Sequence, residues 1–230
     1  MATRKPVQNV LLAALPSQTH KRMLGYLKPA SLSLGDIIYE PGKTIGRVYF
    51  PVTALISLLT LVDDKSALEV GMIGREGVLG VPLIFGVKKS PVRALVQGAG
   101  LALAMPAATF LRELRRTPSL RDKVFGFAHE LMLQIAQSAA CNRFHSVNAR
   151  LARWLLMTRD RVGSDEFRLT HEFLADMLGV RRAGVTEAAS GLQRRKLIEY
   201  SRGRVHLINR KELEATACSC YEMVRGIYKG

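Results

Sequence analysis

Between Arg181 and Lys211 the chain carries nine Lys or Arg residues against two Glu, Glu187 and Glu199, a local net charge of +7 within thirty-one residues. Cationic side chains at that density neutralise phosphates, and the arginine fork also matches the paired acceptors on the edge of a guanine. The residues that could do this chemistry fall into two groups. Arg181, Arg182, Gly184, Thr186 and Glu187 lie on the polar side of a helical pattern whose apolar side is Val185, Ala188, Ala189 and Leu192. Arg202 lies in, and Arg204 directly after, a turn at Ser201–Gly203, between an alternating strand, Leu197 to Tyr200, and a return strand from Arg204 to Ile208.

The elements that must position these groups begin upstream. Thr170 is suited to capping a helix, and Glu172 puts negative charge in its first turn. Phe173, Leu174, Met177 and Leu178 supply an apolar face. Gly179 breaks the pattern and Val180 offers a buried plug, so a second helix starts near Arg181 and crosses the first steeply. His171, just after the cap, is a candidate phosphate contact; an ordinary exposed histidine is the other reading. A charge run alone is often no more than a solvated face. Cap, apolar spacing, glycine break and basic hairpin together predict a winged helix-turn-helix, whose second helix enters a DNA major groove by its N-terminal end.

Other chemistry is sparse. No nucleophile, base and orienting group, no P-loop and no complete zinc motif can be assembled, so an enzyme is not expected. Cys141, Cys218 and Cys220 are the three cysteines, an odd number that argues against a disulfide framework. With His145 they could form a thiol sensor or a metal site. The C-x-C spacing is incomplete as a metal motif, so reduced structural thiols, no metal and no cofactor are expected. His129 and His145 are read as helix-surface or interface residues, and Trp154, among Leu151, Leu155 and Leu156, as core.

The whole chain of 230 residues has 34 basic and 19 acidic residues, a net charge of +15 that favours polyanionic partners. It contains no uninterrupted apolar run of about 18 residues and no signal-peptide pattern, so a cytoplasmic protein without a membrane partner is expected. The N-terminal half reads as two short helices, Asn9 to Leu15 and Thr19 to Leu27, followed by antiparallel strands at Ile37–Tyr39, Arg47–Phe50, Leu55–Leu61, Ala67–Met72 and Arg93–Gln97. Turn signals fall at Leu34–Asp36, Glu40–Lys43 and Val62–Ser66, and the series fits a jelly roll or small barrel. Ala107 to Arg116 reads as one helix and Pro118 starts a longer one. In that longer helix Leu120, Val124, Phe127, Leu131 and Ile135 recur at near-heptad spacing, the pattern of a dimer seam. Packing of the same face on a domain of its own chain is the alternative.

Leu169, Thr170, Leu174, Ala175, Leu178, Gly179, Arg182, Val185, Thr186, Leu192, Leu197 and Ile198 make a frame that resembles the Crp-Fnr family of bacterial transcription regulators, and the resemblance extends over nearly the whole chain. It implies an α+β chain with a cyclic-nucleotide-binding-like β-roll at 1–116, a dimerisation helix and hinge at 117–145, and a winged helix-turn-helix DNA-binding domain at 146–230. It also implies a homodimer on inverted-repeat double-stranded DNA, with RNA polymerase a candidate partner and the small-molecule effector unknown. Arg182 occupies the arginine position that the family uses on guanine. Ala183 stands where many members have a base-reading glutamate, and Glu187 where some have a second arginine, so the site preference of other members does not transfer.

The effector frame departs further. Gly77, Val78, Leu79 and Gly80 resemble the glycine frame of the family's phosphate cassette, but Val78 replaces the acid that would hold a ribose hydroxyl. The phosphate-binding arginine is missing around Lys88 to Val92; Lys89 and Arg93, the latter about two residues displaced, are the substitutes on offer. Cyclic AMP is therefore not the expected effector. The first cysteine, Cys141, lies too far along the chain for the family's N-terminal iron–sulfur ligand set. A cyclic-nucleotide-responsive module whose winged helix contacts protein remains the alternative function.

Overall fold

The computed structural model describes residues 8–62 and 67–228, so most of the expected Val62–Ser66 turn lies outside the described residues. These residues form two compact units, one of residues 8–58 with 72–130 and the other of 59–62 and 67–71 with 131–228. The boundary falls inside the long helix and inside one β-hairpin.

The first unit is a β-roll with helices at its start and end. Buried Asn9 caps α1 (Val10–Ala13): its Oδ1 accepts from Leu12 N at 3.0 Å, while its Nδ2 donates to the carbonyls of Pro51 and Gly77 at 2.9 and 2.8 Å. Helix α2 (Ser17–Leu24) sends Arg22 to the buried Glu113 at 3.3 Å and to Thr117 Oγ1 at 2.6 Å. Two sheets follow. One has the order β1-β7-β3, from Lys28–Leu32, Gly100–Pro106 and Arg47–Pro51, with antiparallel pairing throughout. The other has the order β2-β6-β4-β5, from Ile37–Tyr39, Arg93–Gly98, Leu55–Leu61 and Ala67–Ile73. The five expected strands coincide with β2 to β6 within one residue.

Strands β1 and β7 were not legible. Lys28 and Pro29 suit an edge strand, which needs no alternation, and β7 replaces large apolar residues with Gly100, Ala102 and Ala104. Helix α3 (Ala107–Arg116) closes the roll, with Phe110 set edge-on against Phe50 at 6.2 Å between ring centres.

The long helix α4 (Pro118–Phe144) corrects the expected dimer seam. Leu120, Val124, Phe127 and Leu131 are buried within a single chain, and Ile135 is half-buried. Phe127 lies so close over Gly77 that a Cβ there would fall 2.0 Å from its ring. Heptad-like spacing marks any packed helix face, and here four of the five positions pack inside their own chain, leaving only part of Ile135 exposed. The opposite face carries Phe125, Met132 and Leu133 exposed, with Ala136, Ala139 and Ala140 beyond them.

The second unit is helical with a small sheet. Ser146 caps α5 (Val147–Val162), then β8 (Glu166–Arg168) precedes α6 (His171–Leu178) and α7 (Arg182–Arg194). The hairpin β9 (Ile198–Ser201) and β10 (Arg204–Leu207) completes an antiparallel sheet of order β8-β10-β9. Helices α8 (Arg210–Thr216) and α9 (Cys220–Ile227) follow. Trp154 is core, as expected: its indole N–H donates to Glu69 Oε1 at 2.9 Å and Phe173 stands edge-on to it. Among the described residues no helix is long and apolar enough to cross a membrane.

The fit of Phe127 onto Gly77 makes a stability prediction. Gly77→Ala should cost about 1–3 kcal/mol, because a methyl group must displace a buried ring. Gly226→Ala in α9, where nothing lies within 4 Å of the added carbon, should instead be neutral or stabilising by a few tenths to about 1 kcal/mol. Denaturant unfolding of both variants checks the contrast.

Candidate nucleic-acid interface

The interface is built around the way α6 ends. Thr170 Oγ1 accepts from Phe173 N at 3.1 Å and starts the helix. At the other end Gly179 is left-handed, with φ of 59°. Its N–H donates to Asp176 O, and Val180 N–H donates to Ala175 O at 3.0 Å, the paired bonds of a Schellman stop. A side chain at Gly179 would also meet Leu68 at 2.6 Å. Arg150, buried on α5, donates to the Leu178 carbonyl and satisfies an acceptor that the helix end leaves open. Val180 is half-buried rather than a fully buried plug.

Helix α7 then divides cleanly. Val185, Ala188, Ala189 and Leu192 are buried. Arg181, Arg182, Ala183, Thr186 and Glu187 are exposed, and Gly184 is half-buried with open space where a side chain would be. Arg181 occupies the N-cap position without a side-chain cap, so the first turn of α7 is not closed by its own sequence. The five exposed residues thus sit together at the positive end of the helix dipole.

Thr186 and His171 depart from expectation. The Thr186 hydroxyl lies 3.1 Å from Arg182 O and 3.0 Å from His171 Nδ1. With its single proton given to the carbonyl, Nδ1 of His171 must donate to it. The imidazole also stacks on Tyr200, 4.5 Å between ring centres, and its Nε2 is buried without a hydrogen-bond partner. Burial, and then the charge of Arg182, hold His171 below the usual histidine pKa. His171 is therefore half-buried and engaged within the chain through its Nδ1 and its ring face. It is a neutral strut joining α6, α7 and β9.

The wing turn has Arg202 at φ 48° and Gly203 at φ 73°, the two positive φ values of a two-residue type I′ hairpin. This projects Arg202 and Arg204 into solvent. Tyr200 ties the wing to the helices: its hydroxyl donates to Leu169 O at 2.8 Å, and Leu169 N–H donates to Gly203 O at 2.8 Å. Neither Tyr200 nor Arg150 was legible as part of the site; one looked like an ordinary strand residue and the other like surface charge. Arg210, counted in the basic run, is committed elsewhere, to Glu214 at 2.8 Å and Asp160 at 3.1 Å.

The effector candidates are arranged differently from a phosphate cradle. Val78 and Leu79 are core residues, and Leu79 exchanges backbone hydrogen bonds with Tyr49. Gly80, at φ 128°, lies against Val48 and the Tyr39 hydroxyl. Lys89 is exposed beside a bridge to Thr44, and Arg93 forms a two-pronged pair with Glu40 at 2.9 and 3.0 Å.

Comparison with known proteins agrees with this geometry. Residues 149–216 match the family model for the Crp-like helix-turn-helix domain. The global nitrogen regulator of Synechococcus elongatus is 22% identical over 184 residues, which cover 76% of this chain and 83% of that protein. Among solved structures, FixK2 of Bradyrhizobium japonicum is 15% identical with a TM-score of 0.71, covering 84% of this chain and 98% of its own. The c-di-GMP-responsive global regulator CLP of Xanthomonas campestris is 17% identical with a TM-score of 0.69, covering 84% and 99%. At such identities the two structures establish a shared fold. Residues 149–216 thus carry a Crp-like helix-turn-helix domain, and the chain as a whole shares its fold, β-roll, long helix and helix-turn-helix, with these solved structures.

Proposed function

We propose that this regulator acts as a homodimer that reads an inverted-repeat DNA site with α7, holds the flanking phosphates with its wing, and does not take cyclic AMP as its signal. The observation that carries the reading is the division of α7, apolar on one face and presenting Arg181, Arg182 and Ala183 at an exposed N-terminal edge. Arg182 is the base-reading candidate because a guanidinium can hold two guanine acceptors. Arg202 and Arg204 are phosphate contacts, as are the exposed Arg194, Arg195 and Lys196 at the end of α7. Thr186 and His171 contribute by fixing the helix.

The seam between copies is assigned to the exposed face of α4. Phe125, His129, Met132, Ala136, Ala139 and Arg143 follow one another at steps of four and three and are all exposed. Their alanines allow close approach of two helices, and Phe125 meets the exposed Phe85 edge-on at 6.4 Å, widening the apolar strip. A dimer across this strip would set two copies of α7 on one side of a duplex, about 34 Å apart. The Glu40 pairing of Arg93, with Val78 in the core, supports the view that a cyclic phosphate and its ribose lack their partners here.

Four results are expected. Affinity for the preferred site should fall steeply with salt, each phosphate contact contributing about −0.9 to the log–log slope. Arg202→Ala and Arg204→Ala should each flatten that slope by about one unit without changing the sequence selected, as titrations at several salt concentrations will show. Met132→Glu should yield a folded monomer by sedimentation with reduced DNA affinity, whereas Leu131→Glu should unfold the chain, since it places a charge in the chain's own interior. A Met132→Glu protein that remains dimeric would move the seam elsewhere. Calorimetry with cyclic AMP should give no saturable heat; micromolar binding that is lost in Arg93→Ala would restore the nucleotide-sensor reading.

A further inference from the structure

Cys141, His145, Cys218 and Cys220 converge in the second unit, although the first pair and the second are separated by more than seventy residues of sequence. Their ligand-type atoms all lie within 4.8 Å of one another. The closest approaches are 3.4 Å between the sulfurs of Cys141 and Cys218, and 3.5 Å between Cys220 Sγ and His145 Nδ1. We propose that these four side chains form a metal site of three thiolates and one imidazole that binds a single zinc ion.

The dimensions suit one ion. Zinc–sulfur bonds of about 2.3 Å in a tetrahedron place neighbouring sulfurs about 3.8 Å apart, within the spread seen here. A multinuclear iron–sulfur cluster would hold its thiolates on separate irons and push them further apart. The backbone also prepares the site. Cys141 lies in the last turn of α4 and His145 directly follows the helix, its N–H donating to the Cys141 carbonyl at 3.1 Å. Cys218 and Cys220 flank the turn between α8 and α9. That turn is fixed on α5: Tyr221 donates to Asp160 at 2.7 Å, and Arg210 bridges Asp160 and Glu214. Gln137, one turn before Cys141, donates to Cys220 Sγ at 3.0 Å, the kind of outer contact that orients a thiolate ligand.

Charge supplies an independent argument. Arg150 and Arg153 are both buried, the Nε of each has no hydrogen-bond partner, and both act electrostatically on Cys141 and Cys218. Buried guanidinium charge calls for anionic groups close by. On binding zinc the three thiols release their protons to solvent, and a dication with three thiolates carries a net charge of −1, which these arginines balance. The ion would join the last turns of α4 to the α8–α9 turn, fastening the helices behind the DNA-reading pair. The site is independent of the DNA reading and can stand or fall without it.

Metal analysis of the full-length protein, purified under thiol reductant, tests the site. About one zinc ion per chain is expected, and little in a Cys218→Ser, Cys220→Ser double variant. After chelation, cobalt(II) titrated into the unmodified protein should give the intense visible bands and thiolate charge-transfer absorption of a tetrahedral site. Gln137→Leu, which leaves all four ligands in place, should weaken zinc by roughly tenfold to a hundredfold while the far-ultraviolet circular dichroism stays unchanged. The proposal is overturned if the fully reduced protein takes up neither metal at micromolar concentration, or if cobalt shows only the weak bands of octahedral coordination. It is equally overturned if iron and sulfide together account for the bound metal, or if Cys141 and Cys218 are found as a disulfide that persists under reductant.

Discussion

The direction in which α7 points is decided by three hydrogen-bonded contacts at the end of α6. A helix ends with carbonyls that lack partners, and each must find one or be left unpaired in the interior. Here the Gly179 stop returns two N–H groups to Ala175 and Asp176, and Arg150 donates to Leu178. The chain is thereby turned at one residue, so the next helix must cross the first rather than continue it. Everything that gives α7 its role depends on that angle: its apolar side meets the core and its arginine-bearing edge faces outward. His171 and Tyr200 then lock the relation between α6, α7 and the wing through one hydroxyl, one stacked ring pair and one carbonyl.

Much of this was legible because local rules and tertiary packing agree. Thr170, Gly179 and the spacing of Val185, Ala188, Ala189 and Leu192 each carry their own structural reason, and the structure uses all of them. Five strands of the roll could be read for the same reason, since alternating apolar runs bounded by turns leave few other conformations. Strand β8 could not, being three residues long and stabilised by pairing with β10 rather than by any pattern of its own.

What failed to be legible depends on long-range partners. The spacing of Leu120, Val124, Phe127 and Leu131 correctly marks a buried face, but periodicity does not say what buries it. The answer lay in Gly77, fifty residues away, which accepts the Phe127 ring. Likewise Arg93 reads as a free cation until Glu40 is found beside it. The spacing of Cys141, His145, Cys218 and Cys220 along the chain is incomplete as a metal motif, and only the fold shows that their ligand-type atoms lie within 4.8 Å of one another.

The central claim is that the exposed edge of α7 touches bases through Arg182. A chemical double-mutant cycle addresses it directly: the selected site is prepared with 7-deazaguanine in place of each guanine in turn, and binding of the unmodified protein and of Arg182→Ala is compared on every duplex. The account predicts that at one guanine in each half-site the two losses do not add, because removing N7 and removing the guanidinium break the same contact, with a coupling of about 1–3 kcal/mol. Fully additive losses at every guanine would contradict it and would leave Arg182 a phosphate contact.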